Sequence, residues 1–403
     1  MNILIVNTWY YPNMKGGAEQ SVMALAEQLQ RNGHKVGIIS GDSKSDQVEI
    51  DIHNNIIIYR VDTHITKEKN NYFEKLSMKI HDIINIPIQK KIDTIIKEFK
   101  PDIVHTNSLA GISFDLWRYL SKKGIPIVHT LRDYSVYSPK GLLEKVNEML
   151  ISYRLFHLFY SKINRYYSRY VSYCTAPSTF TLESIYSLSF FEGVPFKYIP
   201  NAVNIDLDMT RNNILEKKQQ NRELKYVLFA GRLFAFKGLK LLLDSFELLD
   251  NDNYRLIICG SGEMESEVVE LSKRDFRIVF KGMLNKEELN IEYFNADVVV
   301  FPSLWDEPFG RIIIEANNSG TPIITTNRGG IKEIMDNIGG GIMLNEETPL
   351  ELASAIVDIL ETDKEKYYEN IMNNIDKYSL VNQAKVFETI YNNVLLERRR
   401  GVE

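Results

Sequence analysis

Two carboxylates and two cations in the second half of the chain are spaced as a binding turn would space them. Glu307 and Glu315 lie eight positions apart across a Pro-Phe-Gly turn, in Phe301-Pro-Ser-Leu-Trp-Asp-Glu-Pro-Phe-Gly-Arg-Ile-Ile-Ile-Glu315. The apolar run Asp297-Val-Val-Val-Phe301 before them reads as a buried parallel strand. Arg311 to Gly320 after them has helix length and closes on a glycine stop signal. The order is strand, sharp loop, helix. Glu307 then sits at the strand's carboxyl end and Glu315 about a turn and a half into the helix. Open α/β sheets hold ligands at that edge. A helix start also offers free N–H groups and partial positive charge to a phosphate. One turn can therefore give backbone donors to an anion and carboxylates to hydroxyl groups. A nucleotide sugar carries both kinds of partner.

The cations follow an earlier strand, in Ala230-Gly-Arg-Leu-Phe-Ala-Phe-Lys-Gly238. Arg232 offers a bidentate fork and Lys237 a mobile point charge, a pairing suited to a diphosphate. Two fixed cations there could replace a divalent metal in stabilising a departing nucleoside diphosphate. The plainer reading is a pair of surface charges flanking a helix start. Gly260 and Gly262 close the next strand and permit a close approach of a nucleotide, although such turns are common at any strand end. Gly282 reads as turn punctuation near the base. Gly16 and Gly17 open the first helix and point N–H groups at the ligand edge, or simply make a tight turn.

All seven histidines precede residue 158, so an imidazole acting in the site comes from the first half. His105 and His129 end predicted strands, and His105 reads as a core-facing, hydrogen-bonded residue. The others lie on polar, loop-like stretches and read as surface residues. His129 opens His-Thr-Leu-Arg-Asp-Tyr134, which brings Arg132 and Asp133 towards the same edge. Asp206-Leu-Asp208 has the form of a metal-binding Asp-x-Asp, but it follows a bend in a doubly wound pattern and reads as chance. The chain has no His/Cys cluster with zinc spacing and no Gly-x4-Gly-Lys-Ser/Thr loop.

These residues need a scaffold of strand ends. Strands are predicted at Ile3–Val6, Lys35–Ser40, Ile56–Val61, Asp102–Thr106, Ile125–Thr130, Tyr173–Ala176 and Lys197–Ile199. Helical stretches at Ala18–Arg31, Phe73–Phe99 and Ile112–Lys122 lie between them. The polar run Asn204 to Leu224 reads as a linker or solvated loop. The rhythm then restarts with strands at Tyr226–Ala230, Arg255–Cys259, Arg277–Lys281, Asp297–Phe301, Pro322–Thr325 and Gly341–Leu344. Pro349 to Arg400 reads as helical throughout. Such alternation implies α/β architecture, with parallel sheets covered by helices on both faces. Two such domains in tandem would create a cleft between the carboxyl ends of two sheets.

Bulk properties agree. A chain of 403 residues suggests two domains. With 44% apolar and 25% charged residues it is a globular sequence. A net charge of −5 gives no footprint for nucleic acid. Cys174 and Cys259 are its only cysteines, which rules out a disulfide framework and fits a reducing cytoplasm. The start lacks a signal peptide's features, and no window has the ~18 uncharged apolar residues of a spanning helix.

Leu150 to Pro177 is unusual, with no acidic residue, six tyrosines and the cations Arg154, Lys162, Arg165 and Arg169. At 100° per residue the four cations fall within roughly 80°, and Phe156, Phe159, Ile163, Tyr166, Tyr167 and Tyr170 lie opposite. The stretch could rest on an anionic membrane or a lipid-linked acceptor. Packing on the sheet with a solvated basic face is favoured, since one apolar stripe is what any covering helix needs.

Taken in order, the motifs resemble glycosyltransferase family 4, retaining enzymes of the GT-B fold. The likeness runs through Gly16-Gly-Ala-Glu19, Asn32-Gly-His-Lys-Val36, Pro101-Asp-Ile-Val-His105, Ala176-Pro-Ser178 and Ile199-Pro-Asn-Ala-Val203. It continues through Gly231-Arg-Leu with Lys237-Gly238, Gly260-Ser-Gly262, the Glu-x7-Glu element and Gly329-Gly330. The resemblance implies two Rossmann-like domains, 1–203 for the acceptor and 204–380 for the nucleotide sugar, with a last helix at about 380–403 packing back on the first. It implies that Arg232 and Lys237 hold the donor diphosphate, Glu315 the ribose and Glu307 the transferred sugar. The backbone at Phe309 and Gly310 would face sugar and phosphate, and Gly17 would approach from the other domain. The family's Thr-x-His-Asp reads Thr130-Leu-Arg132-Asp133 here, so Arg132 replaces a histidine and His129 lies three residues before it.

The resulting expectation is a cytoplasmic enzyme, possible contact with a membrane surface included, that moves a sugar from a nucleotide diphosphate to a saccharide or lipid-linked acceptor. The expected donor is a UDP-sugar, with GDP-sugar second, and no metal or other cofactor is expected. Replacing Arg232 or Lys237 by alanine should nearly abolish transfer without unfolding the protein. Two alternatives stay open, a nucleotide-sugar epimerase and a catalytically silent binding subunit.

Overall fold

The computed structural model describes residues 1–63, 79–143, 149–220 and 222–400. They form two compact units, one of Met1–Asn201 with Leu380–Glu403 and one of Ala202–Ser379. Each is organised by one sheet.

In the first unit the strands are β1 (Asn2–Asn7), β2 (Lys35–Ser40), β3 (Glu49–His53), β4 (Ile56–Arg60), β5 (Ile103–Thr106), β6 (Ile127–Thr130), β7 (Tyr173–Ala176) and β8 (Phe196–Tyr198). They are ordered β3-β4-β2-β1-β5-β6-β7-β8. All neighbours run parallel except β3, which pairs antiparallel with β4 at the edge. The sequence reading missed β3, and its burial explains why. Ile50 and Ile52 are exposed, so the strand carries no inward apolar face.

The helix Gly17–Arg31 buries Val22, Leu25, Ala26 and Leu29 against a cluster shared with Ile3, Ile5, Val36 and Ile38. The long helix Leu380–Arg400 returns to this unit and adds Ala384, Phe387, Ile390, Tyr391 and Val394 to the same cluster. His105 fixes it in place: Nδ1 lies 2.6 Å from Tyr391 Oη and Nε2 lies 2.7 Å from Thr130 Oγ1. The expected helix Phe73–Phe99 begins outside the described residues. Within them it is a helical stretch at 79–83, a break, and the helix Ile86–Phe99 capped by Asn85 with a proline in its first turn.

In the second unit β9 (Lys225–Ala230), β10 (Tyr254–Cys259), β11 (Ile278–Gly282), β12 (Val298–Phe301), β13 (Ile323–Thr325) and β14 (Gly341–Met343) are ordered β11-β10-β9-β12-β13-β14, all parallel. Order reverses between β9 and β12, which makes this pair the switch point of the sheet. The stretch read as a linker is instead a helix, Leu207–Gln219, that buries only Thr210 and Ile214. Asp206 is its N-cap and accepts from Met209 N. Half of the Asp-x-Asp motif is thus a helix cap. The region read as one helical run is Pro349–Glu361, Glu365–Asn374, a 3-10 turn at Ile375–Tyr378 and then Leu380–Arg400.

Candidate functional site

Four of the residues that the sequence singled out gather at the carboxyl ends of β9 and β12. After β9 the chain makes a 3-10 turn, Ala235–Lys237, and enters the helix Leu239–Glu247 through Gly238. Gly238 has φ 75°, and a Cβ there would lie 1.8 Å from Pro302 O. No other residue type lets the turn press this closely on the loop after β12. Leu304 N donates to Phe236 O at 2.9 Å and completes the seam.

Across that seam Lys237 Nζ lies 2.5 Å from Glu307 Oε1. Ser303 Oγ donates to the same oxygen at 2.7 Å. Both charged side chains are largely buried, with 12% and 9% of their surface exposed. Burial pushes the Lys237 pKa below its usual value, opposed by Glu307 and helped by Arg232. Lys237 Nζ also lies over the Trp305 ring at 4.6 Å and the Phe236 ring at 5.6 Å. Arg232 differs: it is exposed, and its guanidinium rests over Phe234 and Phe236 at 5.3 and 5.7 Å. Among the described residues no carboxylate pairs with Arg232. Its fork is open to an anion, while rings beneath it limit its motion.

Glu315 lies in the helix Arg311–Asn318, which starts at Gly310. Arg311 Nε donates to its Oε1 at 2.6 Å and Tyr293 Oη to its Oε2 at 3.2 Å. The carboxylate is therefore held in one orientation from both sides. Phe309 is buried, its ring 6.3 Å from that of Tyr378, so only its backbone is available to a ligand. Gly260 and Gly262 have a packing reason of their own. Cβ atoms there would lie 1.8 Å from Gly231 O and 2.5 Å from Leu233 O. At Gly282 a Cβ would meet nothing within 4 Å. Ser303, Trp305, Phe236, Tyr293 and Arg311 went unnoticed in the sequence. Only Ser303 had a usable signal there, as a hydroxyl four residues before Glu307.

The first-unit candidates divide differently. Gly17 begins its helix as expected, and burial raises the pKa of Glu19 two residues on. His129 is not placed for proton transfer. It is buried between Trp117 and Phe191, with ring centroids 4.7 and 5.7 Å away, and Nδ1 lies 3.0 Å from Thr106 Oγ1. Burial lowers its pKa to about 3, so the ring is neutral. It belongs to the core. His157, expected on the surface, is fully buried as well, its ring 4.7 Å from that of Tyr137. His64 lies outside the described residues. Arg132 is buried, with Nε donating to Asn107 Oδ1 at 2.9 Å and Nη1 to Asn201 Oδ1. Asp133 is half-buried, accepts from Ser135 N at 2.8 Å, and has its pKa raised by burial. Among the described residues no group of three His, Cys, Asp or Glu side chains could hold a metal ion.

Known proteins resemble this chain along most of its length. The family profile "Glycosyltransferase Family 4" matches residues 15–207, and "Glycosyl transferases group 1" matches residues 210–378. An uncharacterised 42.6 kDa protein in the cps region of Klebsiella pneumoniae is 29% identical over 371 residues, covering 90% of this chain and 95% of that protein. Sucrose-phosphate synthase from Thermosynechococcus elongatus superposes with a TM-score of 0.75 at 17% identity, over 98% of this chain and 99% of that one. Anabaena HepE, in complex with UDP and glucose, superposes with a TM-score of 0.66 at 19% identity, over 97% and 99%. Two adjoining profiles that span most of the chain, on two largely parallel sheets with the GT-B architecture, place this protein in the group 1, family 4 glycosyltransferases.

Proposed function

We propose that this glycosyltransferase is a retaining enzyme that takes a sugar from a nucleoside diphosphate, with UDP preferred over GDP. The acceptor is a hydroxyl of a saccharide or lipid-linked saccharide on the way to a surface polysaccharide or glycolipid. The observation that carries this reading is the pairing of an open cation, Arg232, with a buried ion pair, Lys237–Glu307, across the loops after β9 and β12 at the sheet's switch point. The location of the Klebsiella relative in a cps region supports a polysaccharide product. The UDP bound to HepE supports the choice of base. Among the described residues no helix is long and apolar enough to cross a membrane, and the reading places the enzyme on the cytoplasmic side.

In this mechanism Arg232 and Lys237 bind the diphosphate, Glu307 orients the sugar and Glu315 the ribose. The bond between the anomeric carbon and the phosphate oxygen breaks. The acceptor oxygen bonds to the same face of that carbon and gives its proton to the departing phosphate. Arg232 and Lys237 carry the negative charge that develops, the role for which preorganised donors matter most.

A thermal-shift panel of UDP, GDP and ADP tests the donor. A ligand at 100 times its dissociation constant adds about 2.7 kcal/mol, and the reading expects UDP to give the largest shift. Incubation with UDP-sugars, with and without a saccharide acceptor, tests the reaction. Turnover of donor alone to an isomeric nucleotide sugar would assign an epimerase, and binding without turnover a silent subunit.

A further inference from the structure

The helix Ile151–Ser168 is amphipathic in the inverted sense. Its inward face is His157, Tyr160, Ser161, Asn164, Tyr167 and Ser168, all buried. Hydrogen bonds hold that face down: Tyr160 Oη donates to Ser135 O at 2.8 Å, Asn164 Nδ2 to Val136 O at 3.2 Å, and Phe191 N to Ser168 Oγ at 2.8 Å. The outward face carries the apolar side chains. Ile151 is 79% exposed, Leu155 65%, Phe159 57%, Tyr166 51% and Leu158 47%. At 100° per residue these five share an arc of roughly 100°, and Arg154, Lys162 and Arg169 fall in or beside it. Packing on the sheet with a solvated basic face, the favoured expectation from sequence, puts Phe159 and Tyr166 opposite the cations. The structure turns both rings out among the cations.

We propose that this face is a docking surface for an anionic lipid membrane. A soluble helix normally buries its apolar stripe. This one presents apolar and aromatic side chains together with basic ones, which is the composition of a helix lying in a membrane interface. Charge decides between occupants. No acidic residue occurs from 149 to 182, although the chain as a whole carries −5. Of the three outward cations, Arg169 is ion-paired, to Glu192 at 2.7 Å. Two copies of this face meeting each other would bring Arg154 and Lys162 together with only Glu192, already paired to Arg169, as a carboxylate, whereas anionic headgroups complement both. The helix is too polar to cross the bilayer, so it lies on it. The inference stands apart from the donor chemistry.

The test is cosedimentation of the full chain with phosphatidylglycerol/phosphatidylcholine vesicles and with phosphatidylcholine vesicles alone, at low and high salt. The wild type should bind the anionic vesicles, bind the neutral ones much more weakly, and be released by salt. Arg154→Ala with Lys162→Ala should weaken binding roughly 30-fold, at about fivefold per cation. Leu155→Ser with Phe159→Ser should weaken it roughly tenfold or more. All four positions are exposed, so unchanged thermal unfolding of both variants serves as the folding control. Equal binding to both vesicle types, no binding, or wild-type binding by both variants would overturn the proposal. So would a wild-type dimer, seen by light scattering, that Leu155→Ser with Phe159→Ser splits into monomers.

Discussion

Lys237 Nζ and Glu307 Oε1, 2.5 Å apart, join the loop after β9 to the loop after β12 through a buried ion pair. The two residues are 70 positions apart in sequence, and Ser303 Oγ donates to the same Glu307 oxygen. The pair has a structural consequence that the motif alone did not reveal. Lys237→Ala leaves the Glu307 carboxylate buried without its cation, which typically costs about 3–5 kcal/mol. Contrary to the expectation from sequence, this variant should lose stability as well as transfer. Lys237→Met combined with Glu307→Gln should recover part of the loss. Urea unfolding of the single and double variants measures the coupling, and a loss below 1 kcal/mol in both singles would rule the pair out as a structural tie.

Arg232 gives the clean test of donor chemistry, because it is exposed and has no carboxylate partner among the described residues. Arg232→Ala should leave the unfolding midpoint within about 0.5 kcal/mol of wild type and lower kcat about 10²–10³-fold. Arg232→Lys should restore only part of that, since a point charge cannot reproduce the fork. Wild-type turnover of Arg232→Ala would remove the residue from the mechanism.

The legible parts of the fold were those in which burial left a one-dimensional trace. Val298–Phe301 and Lys225–Ala230 are short apolar runs bounded by turns, as strands buried on both faces must be, and they were read nearly to the residue. The edge strand Glu49–His53 exposes its isoleucines, so it has no apolar run to find. The helix Leu207–Gln219 buries two residues and reads as polar linker. For the candidate site, strand-end position singles out Arg232, Lys237 and Glu307, and the helix after β12 adds Glu315, but position along a strand does not say which way a side chain faces. His129 and the inverted helix Ile151–Ser168 were misread for that reason. Tyr293 reaches Glu315 across 22 residues, a contact that only the fold supplies.

The buried histidines make an acid-sensitive core. The folded-state pKa of His129 is lowered to about 3, against about 6.5 in an unfolded chain. Between those values the unfolded state binds a proton that the folded state refuses, so stability falls as pH drops below about 6.5 and is unaffected by this group above it. His105 is pushed down by burial in the same way. His129→Asn removes its own titration and leaves that of His105. Its stability should decline less steeply between pH 6 and 4, by up to about 1.4 kcal/mol per pH unit. Parallel curves for wild type and variant would contradict a neutral, buried His129.

Asp206 and Asp208 separate a helix cap from a metal motif. Asp206 accepts from Met209 N at 3.0 Å, and Thr210 Oγ1 donates to Asp206 O and Asn318 O at 2.9 and 2.8 Å. The start of the helix Leu207–Gln219 is thereby fastened to the end of Arg311–Asn318, the helix that carries Glu315. Asp208 is exposed, with Arg211 3.2 Å away. Asp206→Ala should cost about 1 kcal/mol, as lost N-caps do, and Asp206→Asn should restore most of it because an amide oxygen can accept the same bond. Asp208→Ala should change stability by less than about 0.5 kcal/mol. Neither substitution should lower kcat by more than about twofold, since that corresponds to only ~0.4 kcal/mol of transition-state stabilisation. A joint collapse of turnover in Asp206→Ala and Asp208→Ala, reversed by added divalent cation, would instead make the two carboxylates a metal site and the cap a by-product.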